Sequence, residues 1–380
     1  KFRKHKLAMI SIVVIALLYF LAIFAGFLSP YTPTTRFPDY VDAPPQKLYL
    51  FDTSDGFKLR PFIYGFTKAR DPETFRTIYE EDETQKYRVR FFAKGVPYKF
   101  WGLFKAQRHL FQVVDGAGDE AVAGEAAADD ATADDATGDE SEGEVPEGDV
   151  PIFLMGADRL GRDMLSRILY GARVSLSIGL LGIALTFIFG LLLGGISGYF
   201  GGVVDSVVQR TIDLLRSIPT IPLWMGLAAA LPQDWPPLRV YFGIVIILSV
   251  IGWTSLARVV RGKLLSLRGE DFVMAARLVW SSPMRIIIRH LLPSFASYII
   301  VSLTLSIPNM ILSETSLSFL GLGLRPPVVS WGVLLQESQH VRSVAHYPWR
   351  LIPVLFVIVT VLVFNFVGDG LRDAADPYGR

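Results

Sequence analysis

Six apolar stretches organise the chain. Residues 7–28, 174–196, 214–231, 240–256, 295–317 and 351–367 each come close to the roughly 20 residues a helix needs to cross the hydrocarbon core of a bilayer. They predict six transmembrane helices. The third stretch is the most interrupted, with Pro219 and Pro222 inside it, Pro232 just beyond, and Asp213 and Arg216 at its mouth. In the second, Gly190, Gly194 and Gly198 recur every four residues and lay one smooth stripe along the helix, a face for close helix packing, with a glycine-lined passage as the alternative.

Between the first two stretches the pattern changes. Short aromatic-rich runs at 47–51, 57–66, 87–92 and 109–113 are separated by Asp-Gly, Asp-Pro or Lys-Gly breaks and read as strands. They predict a small extracytoplasmic β-rich domain over about 39–114. Residues 115–150 are rich in Ala, Gly, Asp and Glu, with 14 acids and no Lys or Arg, which predicts a disordered, solvated linker. No D-x-D-x-D-G pattern supports calcium binding there. The expected division is 1–30 as N-terminal tail and first span, 31–114 as the β-rich insert, 115–150 as the linker and 151–380 as a core with five further spans.

One polar interlude between apolar stretches has helical character. Glu270 and Asp271 place negative charge on a first turn after Gly269, and good or acceptable helix formers continue to about Val279. Ser282 and Pro283 then form an N-cap and N1 pair, so a second helix starts at Pro283 with Arg285 and Arg289 on one side, until Pro293 ends or kinks it. A charged helical hairpin between spans is a place for another protein to dock.

Composition fits this picture. The chain is 51% hydrophobic with a mean hydropathy of +0.39, values of a polytopic membrane protein. Its net charge of +1 hides an asymmetry, because removing the 14 acids of 115–150 leaves 22 acids against 37 bases. Lys1, Arg3, Lys4 and Lys6 precede the first span and place the N-terminus in the cytoplasm. Four crossings later the hairpin is cytoplasmic again. Its surrounding loop agrees, holding Arg258, Arg261, Lys263, Arg268, Arg277, Arg285 and Arg289 against Glu270 and Asp271. The first span is too long for a cleaved signal segment and reads as an anchor. Zero cysteines exclude disulfides and thiolate metal sites. His5, His109, His290, His340 and His346 are scattered, and no nucleophile and base arrangement suggests an enzyme.

Four ordered blocks resemble a known family. Residues 155–176, MGADRLGRDMLSRILYGARVSL, look like the signature before the second span in inner-membrane permeases of peptide-type ABC importers. The 271–293 hairpin resembles the motif by which those permeases contact their ATPase. Glu314 to Gly323 (ETSLSFLGLG), with Pro326-Pro327 and Trp331-Gly332 beyond, and Phe364 to Asp373 (FNFVGDGLRD), followed by Asp376-Pro377, match later family blocks. The family's cytoplasmic motif reads Glu or Gln, Ala, Ala, three residues, Gly; here Met274 and Trp280 stand at its first and last places. A left-handed backbone at Trp280 would cost about 1–2 kcal/mol. The insert from about 32 to 150 exceeds what shorter family members carry.

The resemblance implies an all-α polytopic fold of six transmembrane helices, the type I ABC importer permease, with the β-rich domain inserted. It implies a bacterial inner-membrane, multi-pass subunit for oligopeptide or dipeptide uptake, with nickel or an oligosaccharide as alternative cargo. Implied partners are a second homologous permease, two ABC ATPase subunits that bind ATP and Mg, and an extracytoplasmic substrate-binding protein, with no nucleic acid. No cofactor is expected in this chain, which lacks a G-x-x-x-x-G-K-[ST] phosphate loop. Asp271, Phe272, Ala275, Ala276, Arg277, Val279 and Trp280 are the expected coupling residues, with a face buried against the chain's own helices as the other reading for Phe272, Ala275, Ala276 and Val279. Glu314 would either line the pathway or hydrogen-bond within the bundle, since a mid-span carboxylate must face protein or water. Ser302, Thr304, Ser306, Ser313 and Thr315 are generic polar positions on the same helix expected along the pathway, with Ser313 and Thr315, like Glu314, as pathway or bundle residues. Arg159, Arg162, Asp163 and Arg167 are expected on an amphipathic segment resting on the outer surface, as a membrane-surface anchor that pairs its own charges or as a gate or binding-protein contact. An ion-coupled secondary transporter is the competing class; it predicts paired broken helices in two halves, and no such repeat is found.

Overall fold

The computed structural model describes residues 2, 5–52, 58–70, 72, 77–100, 104–114, 150–232 and 234–375. In chain order these form α1 (Lys6–Ile23), α2 (Ala25–Leu28), strands β1 (Tyr49–Asp52), β2 (Lys58–Arg70), β3 (Thr77–Phe91), β4 (Lys94–Phe100), β5 (Phe104–Arg108) and β6 (Phe111–Val114). Helices α3 (Met164–Phe200), α4 (Gly202–Ser217), α5 (Thr220–Ala229), α6 (Pro237–Leu267), α7 (Asp271–Leu278), α8 (Pro283–Ile286), α9 (Leu292–Ser294), α10 (Ala296–Phe319), α11 (Trp331–Ser338), α12 (Val341–His346) and α13 (Ile352–Ala375) follow. The acidic segment expected as a linker, apart from Val150, lies outside the described residues, as do Lys1, Arg3, Lys4 and the terminal Asp376-Pro377.

Five helical segments among the described residues are long and apolar enough to cross a membrane: Lys6–Ile23, Met164–Phe200, Pro237–Leu267, Ala296–Phe319 and Pro348–Ala375. The chain is thus a helical polytopic protein with a β-sheet region. The continuous helix expected over 214–231 requires correction. It splits into the end of α4 and the 10-residue α5, because Ile218 precedes Pro219 and is forced extended, at φ −90° and ψ 132°. Ten helical residues reach about 15 Å, half a bilayer.

The chain divides into two compact units, one of residues 1–20, 172–336 and 354–380, the other of 21–171 and 337–353. In the first, the core runs through Ile178 of α3, Ile244 and Leu248 of α6, and Met310 and Leu317 of α10. A second cluster of Val260, Leu264, Val273, Ile286, Ile287 and Leu291 gathers α6, α7 and α8.

In the second unit, antiparallel strands in the order β1-β2-β3-β6 form one sheet and β4-β5 a hairpin. Alternation sorts its faces. Ile63 and Val89 point into a core with Tyr31, Phe37, Ile152 and Phe153, while Lys86, Arg88 and Arg90 are exposed. Of the aromatic-rich runs expected as strands, residues 49–51, 58–66, 87–91 and 111–113 lie on β1, β2, β3 and β6. Residue 57 lies outside the described residues, and 47, 48, 92, 109 and 110 are not on strands. Strands β4 and β5 and the polar first half of β3 carry no hydrophobic alternation that reveals them. Gly161 is required at a close approach: at φ +72°, a Cβ there would lie 2.0 Å from Phe37 O, whose own N–H donates to Gly161 O at 3.0 Å.

Candidate functional site

Glu270 starts α7: its carbonyl accepts from the N–H groups of Val273 and Met274 at 2.9 and 3.1 Å. The helix is apolar on both sides. Val273 and Ala276, three residues apart, are buried against α6 and α8. Asp271, Phe272, Ala275 and Val279 point outward, as does Met274. The expected coupling residues therefore divide, with Ala276 on the inner face and Phe272, Ala275 and Val279 on the outer. Arg277 is helical, but its side chain lies outside the described residues.

The helix ends at Trp280 in the left-handed region, φ 55°. Ser281 donates its N–H back to Ala276 O at 3.2 Å, the six-to-one bond of a Schellman turn. Glycine is the usual occupant of that position, and here an indole stands 95% exposed. Ser282 then caps α8, its Oγ accepting from Arg285 N–H at 3.4 Å with Pro283 at N1. Pro293 kinks rather than stops the chain. A wide turn over Ile287–Leu291, with Leu292 N–H bonded to Ile287 O, precedes the residue that has no N–H to give.

Contacts beneath this hairpin are backbone-close. A Cβ on Gly194 would lie 2.5 Å from Ala257 O, one on Gly198 3.0 Å from Arg261 O, and one on Gly190 2.7 Å from Leu256 Cδ2. The glycine stripe of α3 thus lies on α6, the helix that leads into α7. Arg258 and Arg261, counted in the basic excess of the loop over Glu270 and Asp271, are paired by acids of α4: Arg258 with Asp213, and Arg261 Nε with Asp205 Oδ1 at 2.5 Å. The Arg261 hydrogen bond, aided by Ser197, holds the Asp205 carboxyl below its usual range.

Glu314 is fully buried in α10. Its carboxylate accepts from Ser318 and Ser330 hydroxyls at 2.8 Å and from Ser175 at 3.4 Å. Ser175 Oγ also accepts the Trp331 N–H, and Ser318 Oγ the Leu324 N–H. One carboxylate therefore gathers α3, α10 and the returning loop before α11. Gly332 permits the approach, since a Cβ there would meet Thr315 Cα at 2.9 Å. Thr315 is buried beside Glu314, and Ser313, partly exposed, bonds back to Asn309 O.

The model of the binding-protein-dependent transport system inner membrane component family matches residues 190–378, and that of the N-terminal TM domain of oligopeptide transport permease C matches 1–45. The oligopeptide transport system permease protein OppC of Bacillus subtilis (strain 168) is 37% identical over 223 residues, 58% of this chain and 70% of that protein. The chain belongs to the OppC/DppC-like family of binding-protein-dependent permeases. The dipeptide transport system permease protein DppC of the same organism is 39% identical over 223 residues, 58% of this permease and 68% of that one. A solved chain of the MetNI methionine ABC transporter, in an inward-facing conformation, aligns with a TM-score of 0.44 at 19% identity over 56% of this permease and 98% of that chain.

Within the permease, the block before α3 departs from its expected place on an outer surface. Only Arg159 is exposed; Arg162, Asp163 and Arg167 are buried. Asp158 Oδ2 accepts from Arg162 Nε at 2.7 Å and Arg167 Nη1 at 2.5 Å, and Glu337 accepts from both arginines. Asp158 and Glu337 are the partners that sequence reasoning missed. Burial works against both carboxylates, yet the arginines hold them below their ordinary range. Asp163 pairs with no arginine or lysine among the described residues. It caps α3 through Ser166 N–H and Oγ at 2.7 and 2.6 Å, and burial lifts its carboxyl from 3.8 to about 7.

Proposed function

We propose that this chain is the permease subunit through which an ATP-binding-cassette importer takes up oligopeptides or dipeptides. It works with a second homologous permease, two ABC ATPase subunits that bind ATP and Mg, and an extracytoplasmic substrate-binding protein. The observation that carries the reading is the two-faced α7. Val273 and Ala276 fasten it to α6, while Phe272, Leu278, Val279 and Trp280 are offered outward on a loop between spans. Soluble surfaces seldom leave such apolar residues adjacent without a partner. A force at that face passes to α6 through a packed contact and, through the glycine stripe, to α3, a means of biasing a two-state membrane bundle from its ATPase end.

On this reading the chain crosses six times with its N-terminus cytoplasmic. Gly190, Gly194 and Gly198 meet successively later residues of α6, so α3 and α6 run parallel, and the chain must recross between them. Helix α5, extended by Ile218, Ala230 and Leu231, is the apolar segment between them and is assigned that crossing. Glu314 is a bundle-holding residue, because its oxygens are taken up by serines of its own unit.

The test is uptake of a labelled short peptide into vesicles holding the cognate ATPases and binding protein, with Phe272→Asp/Val279→Asp as the variant. Both positions face outward, whereas Ala276→Asp would bury a carboxylate and confuse folding with coupling. ATP-dependent uptake lost in a variant that still inserts supports the reading. Uptake driven by an ion gradient without ATPases overturns it.

A further inference from the structure

The β4–β5 hairpin lies outside both matched segments, 1–45 and 190–378, and it is tied to the residues that leave the first span. Leu110 donates its N–H to Phe27 O at 2.7 Å. His109 Nδ1 lies 2.5 Å from Ser29 O and Nε2 2.8 Å from Val96 O. Phe100 meets Phe24, and Phe92 meets Phe27, with ring centroids 5.9 Å apart. Tyr98 packs so closely on Gly26 that a Cβ there would lie 2.5 Å from its ring. Since α1 is 18 residues, about the thickness of the hydrocarbon core, these contacts hold the hairpin where the chain emerges among lipid headgroups.

Its chemistry suits that level. Residues 84–114 hold seven Lys and Arg and no acid. Lys94 stands opposite Arg108, and Lys99 opposite Lys105, all exposed. Like charges in register across a hairpin destabilise it unless counter-charge is supplied from outside. Beside them Phe104 is 67% and Phe92 61% exposed. Large rings and cations together, at the end of a span, match the interfacial belt of membrane proteins.

We propose that the β4–β5 hairpin is an interfacial anchor that binds anionic phospholipid headgroups of the leaflet into which α1 emerges. Lys94, Lys99, Lys105 and Arg108 pair with phosphates, and Phe92 and Phe104 enter the headgroup–acyl boundary. Each base near an anionic surface adds to the attraction, so the four act together. The proposal requires α1 to lie in the bilayer and is independent of what the permease carries.

The chain has no cysteine, so Phe104→Cys in the full-length protein takes a single nitroxide label. In nanodiscs containing phosphatidylglycerol, the label should collide more with lipid-dissolved oxygen than with a water-soluble nickel chelate, giving a positive depth parameter. A label at Glu80→Cys, at the far end of β3, should read as aqueous. Adding Lys94→Glu, Lys99→Glu, Lys105→Glu and Arg108→Glu, or using phosphatidylcholine alone, should shift the Phe104→Cys label toward that aqueous value. An aqueous label in every lipid, immersion indifferent to both lipid charge and the reversal, or immersion appearing only when the binding protein is added would each overturn the proposal.

Discussion

Arg167 and Glu337, 170 residues apart, meet with Arg167 Nη1 2.7 Å from Glu337 Oε2 and with side chains only 1% and 4% exposed. With Asp158 and Arg162 they make a buried group of two acids and two bases, so each charge has a counterpart. Removing one member strands another in the interior, at a cost of about 3–5 kcal/mol. Glu337→Gln should therefore lower the thermal midpoint of the detergent-solubilised permease by several degrees. Arg167→Met/Glu337→Met should lose less than the sum of its single changes. Additive losses would show that the pair is not coupled.

Asp163 makes the same unit sensitive to pH in the opposite sense. Its carboxyl is raised by burial from 3.8 to about 7, so between those values the folded chain holds a proton that the unfolded chain releases. Its contribution is greatest below about pH 4, falls as pH rises, and is lost above about 7. At about 1.4 kcal/mol per pKa unit, the window is worth a few kcal/mol at most. Asp158 and Glu337, held down by arginine, act oppositely and lose their contribution only as pH falls below the ordinary carboxylate range. Asp163→Asn keeps an acceptor for Ser166 N–H, so thermal midpoints at pH 5 and pH 8 should lie closer together than in wild type. Equal differences would remove Asp163 from the account.

What was legible in the residues was mostly local. Ser282-Pro283 announces a helix start because cap and ring act within one turn, whereas Pro219, an interruption inside the span expected over 214–231, in fact divides it. The two sides of α7 were not separable, since Phe272, Val273, Ala276 and Val279 are all compatible with burial and only α6 selects Val273 and Ala276. Arg162 and Arg167 looked like surface charge because Glu337, their partner, arrives from a distant part of the chain. Hairpin β4–β5 escaped notice because lysines interrupt its aromatic residues at 94, 99 and 105. The cost of a mid-span charge places Glu314 toward protein or water, away from lipid, but does not choose between them, because its three serine donors come from separate parts of the fold.

Positions on the glycine stripe should differ in tolerance. A methyl on Gly194 would meet backbone, Ala257 O at 2.5 Å and Cα at 2.8 Å, which cannot move without parting α3 from α6. On Gly190 it meets side-chain atoms alone, Leu256 Cδ2 at 2.7 Å and Cβ at 2.8 Å, of which Cδ2 can turn aside while Cβ moves only with its backbone. Gly194→Ala should then cost about 1–3 kcal/mol, as overpacking does, and Gly190→Ala less. Thermal midpoints of the two variants decide the matter, and the reverse order would mean that the stripe does not set the helix separation.

Trp280 offers the cleanest separation of folding from coupling. Its φ of 55° costs a side-chain-bearing residue about 1–2 kcal/mol, and its ring, 95% exposed, is buried by none of the described residues. Trp280→Gly removes both strain and ring; Trp280→Ala removes the ring alone. If the indole fills a pocket on the ATPase, both variants should weaken ATPase binding by a hot-spot increment of about 2 kcal/mol, roughly thirtyfold. Hydrogen exchange over 271–285 should meanwhile be as slow in Trp280→Gly as in wild type, or slower, and faster in Trp280→Ala than in Trp280→Gly. Titrating detergent-solubilised permease with the ATPase measures the first quantity and exchange mass spectrometry the second. Undiminished ATPase binding by both variants would show that the strained indole faces water in the assembled transporter, leaving Phe272 and Val279 to make the contact.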